Sequence, residues 1–192
     1  MRRARIWLKR WAYSGFSRDR WQQPDRVIAA LRLRPGDRVA DLGAGAGYFT
    51  LRLARAVGPS GVVYAVDTDE DLPRVLAAKA SRRGLDNVVT VEAGPEDPCL
   101  PEAVDLVLLV NTYHHIPDPA RYFTALARSL RPAGRLAVIE ALPIRLHRLF
   151  GHATQPDRIH STLAEAGYTR VGDHDFLPRQ SFQLFGLQAD AR

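Results

Sequence analysis

Short, almost wholly apolar runs alternate along this chain with longer stretches in which apolar residues recur every three or four positions. The runs are Arg38–Leu42, Val62–Val66, Val88–Glu92, Val104–Val110 and Arg135–Glu140. Bounded by turn residues, such runs predict strands buried on both faces. The intervening spacing predicts helices over Tyr48–Val57, Asp69–Arg83 and Pro119–Leu130. Gly58-Pro59 and Gly84 stop the first two, and Arg131-Pro132-Ala133-Gly134 turns the third into the fifth strand. A further helix, Pro156–Ala166, closes at Gly167. Two strands, Thr169–Phe176 and Ser181–Leu187, follow it, joined by the tight turn Leu177-Pro178-Arg179 as an antiparallel hairpin. Strands alternating with helices imply an α/β fold, a doubly wound sheet of seven strands, mostly parallel, with the hairpin at its end.

The first 34 residues are patterned differently and read as a basic helical arm ahead of a domain over 35–192. Ala4, Trp7, Leu8 and Trp11 follow helical spacing, with Arg2, Arg3, Arg5, Lys9 and Arg10 around them. Ser14-Gly15 breaks this helix, Pro24-Asp25 opens another through Leu31, and Pro35-Gly36 turns the chain. The net charge of +6 resides here: residues 1–26 hold eight Arg or Lys against Asp19 and Asp25. The remainder is balanced, which argues against a nucleic-acid-binding body. Trp and basic residues on opposite faces of residues 1–14 also suit contact with an anionic membrane surface.

Composition adds exclusions. With 46% apolar and 25% charged residues the chain is an ordinary globular protein. Its one cysteine, Cys99, permits no internal disulfide, and no ligand spacing for a metal accompanies it. A reducing cytoplasm is the expected compartment. No apolar run approaches the roughly 20 residues of a membrane span.

The most informative segment is Asp41-Leu42-Gly43-Ala44-Gly45-Ala46-Gly47, where a strand runs through glycines into a helix. Glycines let the backbone approach a ligand, and the helix start supplies N–H donors. Dinucleotide loops need a small residue where Tyr48 stands, which disfavours a nicotinamide-dependent oxidoreductase. Asp41 would repel a pyrophosphate but suits an aminoacyl ammonium. Asp67 ends the second strand, where a carboxylate can accept both hydroxyls of an adenosine ribose; the alternative is a loop carboxylate that caps the helix at Asp69-Glu70-Asp71. A glycine-rich turn with no ligand is the plain alternative for the loop.

Val39 to Thr50 resembles motif I of the class I S-adenosylmethionine-dependent methyltransferases, and Ala65-Val66-Asp67 resembles their acidic second motif. Asp105 to Ile116 is similar to the fourth-strand segment of their small-molecule, quinone-biosynthesis-like branch. Leu130-Arg131-Pro132-Ala133-Gly134-Arg135-Leu136 resembles the usual approach to their fifth strand. The resemblance spans about residues 35–187. It implies strand order 3-2-1-4-5-7-6, S-adenosylmethionine as cofactor with S-adenosylhomocysteine as product, and a small-molecule methyl acceptor. It assigns Asp41, Gly43, Ala44, Gly45, Gly47, Tyr48, Asp67 and Thr68 to the cofactor. After the third strand the family usually carries an Asp beside the adenine. This chain has Ala93-Gly94-Pro95-Glu96, so Gly94 backbone groups or Glu96 take that place.

Methyl transfer from a sulfonium is an in-line displacement, so catalysis is largely positioning and desolvation. By analogy with the family, Asn111 and Thr112 line the methionine end. His114 or His115 is the candidate general base, against the alternative that both only pack the loop. Glu140 is a candidate substrate contact, against a helix-capping or solvated carboxylate. Tyr13, Trp21 and Gln22 are candidates for a lid, against simple anchoring of the arm, while His147 and His152 show no spacing that singles them out. The rival functions are a nucleic-acid methyltransferase and a non-catalytic cofactor-binding protein. Asn111-Thr112-Tyr113-His114 lacks the two prolines of base-amino methyltransferases. The sequence does not set the oligomeric state.

Overall fold

A computed structural model describes residues 16–69, 71–94, 96–143 and 153–188. The expected helix over 1–14, together with Tyr13, His147 and His152, lies outside the described residues. The chain order is α1 (Phe16–Gln22), α2 (Pro24–Leu31), β1 (Arg38–Leu42), α3 (Thr50–Val57), β2 (Val62–Asp67), α4 (Leu72–Ser81) and β3 (Val88–Glu92). Then come β4 (Val104–Val110), a 3-10 turn at Tyr113–His115, α5 (Pro119–Ala127), β5 (Leu130–Ala141), α6 (Pro156–Glu165), β6 (Tyr168–His174) and β7 (Gln180–Leu187). The sheet has the order β3-β2-β1-β4-β5-β7-β6, with β7 antiparallel to both β5 and β6.

Alternation along each strand explains why both faces are covered. In β4, Val107 and Leu109 enter one core with Tyr122, Phe123 and Leu126 of α5 and Ile159 and Leu163 of α6. Leu106 and Leu108 enter the other, with Val27 and Leu31 of α2 and Leu53 and Val57 of α3. All four β4 side chains are fully buried, which is why the run reads as continuously apolar. Helix α2, on the N-terminal side of the 34/35 division, shares the second of these cores with the sheet through Val27 and Leu31.

Three boundaries differ from those the sequence suggests. The helix expected from Tyr48 begins at Thr50, since residues 43–49 are occupied by the glycine turn. The helix expected to reach Leu130 ends at Ala127, because Leu130 already pairs with Val104 of β4. Residues 131–134 do not separate helix from strand. They form an irregularity inside β5, after which Arg135 pairs with Leu106. Helix α1 is an addition, from a stretch in which the sequence pattern showed no helix. Among the described residues no helix is long and apolar enough to cross a membrane.

Candidate functional site

The strand order reverses between β1 and β4, and a crevice opens beyond the carboxyl ends of strands at such a point. A cleft of about 580 Å³ lies there. Leu42 and Gly43 line it from β1, Val66, Asp67 and Thr68 from β2, and Ala93 and Gly94 from β3. Val110, Asn111, Thr112, His114, His115, Ile116 and Pro117 continue the wall past β4, with Tyr122 from α5 and Arg18 from α1.

The glycine loop is folded by its own backbone. Gly43 N–H and Ala44 N–H both donate to the Val66 carbonyl, at 2.8 and 3.1 Å, and Gly47 N–H donates to Ala44 O at 2.9 Å. Gly43 has φ +73°, and a Cβ there would stand 2.2 Å from Thr112 Oγ1. The close approach of β1 and β4 loops therefore admits only glycine. Gly45 N–H donates to Asp67 Oδ2 at 2.8 Å, and Asp69 N–H donates to Oδ1 at 3.1 Å. Asp67 thus ties the loop to β2 while still lining the cleft.

Asp41 is 3% exposed and accepts a 2.6 Å hydrogen bond from Thr50 Oγ1 at the start of α3. Burial pushes its carboxyl up to about 6, opposed by the Thr50 hydrogen bonds and by the Arg18 charge and reinforced slightly by Asp67. It stands behind Leu42 and Gly43, and does not itself line the cleft. Ala44 and Gly45, with Asp67, border a small adjoining recess against Leu76 of α4. Gly47 faces Leu76 Cδ1, which an added Cβ would meet at 2.2 Å.

The His114 and His115 rings are in contact at a tilt of 44°, with centroids 4.1 Å apart. His114 Nδ1 lies 2.8 Å from Glu140 Oε1, and Glu140 is fully buried. The idea of a solvated Glu140 is therefore corrected: β5 carries this side chain inward to the β4 loop, not out to water. Tyr48 lies away from the cleft lining, bonded through its hydroxyl to Asp19, with the Arg18 and Arg52 guanidinium carbons 3.8 and 4.4 Å from its ring centroid. Glu96 is exposed and paired with Arg121 at 2.7 Å, outside the lining. Trp21 is half-buried and Gln22 buried, and neither lines the cleft.

Sequence reasoning missed Arg18, Thr50 and Gln180. Gln22 Nε2 donates to Gln180 Oε1 at 3.1 Å, and Gln180 Nε2 donates to Asn111 Oδ1 at 2.9 Å. Arg18 Nε donates to Gln22 Oε1 at 2.5 Å, so a polar chain runs from α1 through β7 to the cleft wall. Gln180 precedes the strand expected at Ser181–Leu187, and no local signal in the sequence set it apart. Among the described residues, no group of three or more His, Cys, Asp or Glu is placed to hold a metal ion.

An open seven-stranded sheet of this order, with a glycine loop and two carboxylates at its switch point, is the class I methyltransferase fold. It superposes with TM-score 0.81 on an S-adenosylmethionine-dependent methyltransferase from Aquifex aeolicus, 23% identical, over 93% of this chain and 96% of that one. The chain belongs to the methyltransferase-domain family, whose pattern matches residues 40–138, just over half of its length. Over 116 residues it is 34% identical to the ubiquinone/menaquinone biosynthesis C-methyltransferase UbiE of Pasteurella multocida. Over 119 residues it is 33% identical to nocamycin O-methyltransferase of Saccharothrix syringae. These matches cover 59% and 62% of this chain but 43% and 42% of the relatives. The chain therefore spans less than half the length of those curated relatives.

Proposed function

We propose that this chain transfers a methyl group from S-adenosylmethionine to a small-molecule acceptor by in-line displacement. The observation that carries the reading is the buried Asp41 carboxylate behind the glycine loop. A carboxyl held near 6 by desolvation gains most from a nearby cation, and a nucleotide phosphate offers none. When bound, S-adenosylmethionine supplies a methyl group on positively charged sulfur together with an ammonium. Asp41, which does not line the cleft, favours that positive end through its charge and not by contact, while Asn111 and Thr112 orient it from the loop after β4. Both Asp67 oxygens already accept one backbone N–H, and each retains a lone pair for a ribose hydroxyl. Leu42, Val66, Ala93 and Ile116 exclude water from an adenine, beside Thr68 and Gly94. Ala44, Gly45 and Gly47 shape the loop.

The names of the two relatives, one acting at carbon and one at oxygen, support a small-molecule acceptor. The cytoplasm is part of the proposal, in keeping with one exposed, unbridged cysteine. So is contact of residues 1–14 with an anionic membrane; equal pelleting on liposomes with and without those residues would remove it. Calorimetry with S-adenosylmethionine and S-adenosylhomocysteine tests the central reading. Wild type is expected to bind both, and Asp41→Ala about tenfold more weakly or worse. No binding by wild type overturns it.

A further inference from the structure

The hydrogen-bond chain from α1 to the cleft has a direction, set at one end by a charge. Arg18 Nε is a donor only, so the Gln22 atom that meets it at 2.5 Å must be the amide oxygen. Gln22 then turns its Nε2 to Gln180, which must answer with Oε1, at 3.1 Å. Gln180 in turn presents its Nε2 to Asn111, whose Oδ1 accepts at 2.9 Å. Each amide is thus held one way round by the one before it. Gln22 and Gln180 are 0% and 3% exposed, so water is not at hand to satisfy a reversed amide. Asn111 follows β4 with φ +54°, a left-handed conformation that asparagine tolerates better than most residues. Its backbone N–H is fixed on Ile139 O at 2.8 Å. Asn111 Nδ2 has no hydrogen-bond partner among the described residues, and Asn111 lines the cleft.

From this geometry we propose that Gln180 is a positioning residue which locks the Asn111 amide with its Nδ2 toward the cleft, where that donor receives a carboxylate oxygen of the ligand. This rests on the methyltransferase reading above and deepens it. An amide whose oxygen is held elsewhere can only donate into the cleft, so it takes an acceptor oxygen and turns away an ammonium. Arg18 is the one arginine or lysine among the residues lining the cleft, and its charge favours an anionic oxygen over a neutral one. The Asp41 and Asp67 carboxylates stand at the glycine loop instead. A zwitterion suits that division, with its ammonium toward the Asp41 side and its carboxylate on Asn111. Two groups offer the carboxylate: the aminoacyl end of S-adenosylmethionine and an acidic methyl acceptor. In the first case Asn111 orients the positive end of the cofactor through the carboxylate attached to it, and not by touching the ammonium.

Calorimetry of the full chain with S-adenosylmethionine and with its decarboxylated form, which differs only in that group, reads the preference. Wild type is expected to bind the first about tenfold more tightly or better. In Gln180→Glu the new carboxylate can only accept, so it draws Asn111 Nδ2 to itself and turns Oδ1 to the cleft. Gln180→Met releases the amide without adding a charge. Gln180→Met is expected to lower the preference to about threefold or less while binding the decarboxylated form as wild type does, and Gln180→Glu to abolish it. A preference kept in both folded variants overturns the positioning role. Side-chain amide NMR of wild type decides even if neither variant folds. The Asn111 Nδ2 resonances are expected to shift with S-adenosylhomocysteine and not with 5′-methylthioadenosine, which lacks the aminoacyl end. A preference in wild type with unmoved Asn111 resonances overturns the assignment to Asn111. With neither preference nor shift, the acceptor must bring the carboxylate. Labelled S-adenosylmethionine and a small-molecule cell extract must then give a labelled product with a free carboxylate, and a product without one overturns the proposal. Absence of S-adenosylmethionine and S-adenosylhomocysteine binding by wild type instead overturns the methyltransferase reading.

Discussion

The two sides of the cleft are built by different rules. On the β1–β2 side the decisive contacts are close in sequence: Thr50 reaches Asp41 over nine residues, and Gly45 reaches Asp67 over 22. On the β4–β5–β7 side, His114 meets Glu140 over 26 residues, Gln180 meets Asn111 over 69, and Gln22 meets Gln180 over 158. A loop that must fit one cofactor can be encoded as a contiguous motif. The β4–β5–β7 side is assembled from distant single residues, so it can vary without disturbing the loop.

Gly43→Val should break the first side most severely. The side chain would combine a φ of +73° with a collision against Thr112. A loss of about 4 kcal/mol in urea unfolding is expected, with no measurable cofactor binding. A stable, binding-competent Gly43→Val would show that the two loops separate freely.

Asp41→Asn sharpens the comparison through pH. In the folded chain the Asp41 carboxyl keeps its proton up to about pH 6; in the unfolded chain it releases it near 3.8. The folded form thus holds the extra proton between these values, and stability falls as pH rises through that window and stays lower above it. Asn removes that penalty, so the variant should gain up to about 3 kcal/mol at pH 7.5 and close to nothing at pH 3.5. It should also bind S-adenosylmethionine more weakly. Wild-type affinity should itself fall as pH drops below about 6, where Asp41 becomes neutral. Equal stability gains at both pH values would mean that Asp41 is not an ionised buried group.

On the second side, Gln180→Leu leaves Gln22 and Asn111 without their shared partner. A destabilisation of about 2 kcal/mol is expected, with faster tryptic cleavage at Arg18 and Arg20 as α1 loosens. Unchanged proteolysis would show that contacts such as those of Asp19 with Tyr48 and Arg52 suffice to hold α1. The smallest effect belongs to Glu96→Gln, which removes an exposed pair with Arg121 and should shift stability by about 0.5 kcal/mol or less. Cofactor affinity should not change, and a loss of tenfold or more would bring Glu96 into the adenine site after all.

Much of the fold was legible because its signals are local. The apolar run of β4 and the glycines after β1 specify their structure within a few residues. Resemblance to a known family extended this to the strand order, which agrees with the sheet observed. Helix α1 was not legible. It has no cap signal or clear apolar stripe, and it is held by contacts such as the Tyr48 hydroxyl to Asp19 and the Arg18 guanidinium over the Tyr48 ring. The Pro132-Ala133-Gly134 stretch reads as a turn by every local rule. Pairing of Leu130 with Val104 turns it into an irregularity within β5 instead.

For the site, the chain by itself determined that glycines, Asp41 and Asp67 gather at strand ends whose positions follow from hydrophobic spacing. Only the tertiary structure decided how the side chains divide the work. Asp67 proved to be a tether for the glycine loop, Tyr48 a clasp for α1, and Glu140 a buried partner of His114. The physical reason is that burial and hydrogen-bond partnership are properties of a neighbourhood. A carboxylate in a sequence carries no mark of whether water or an imidazole will meet it.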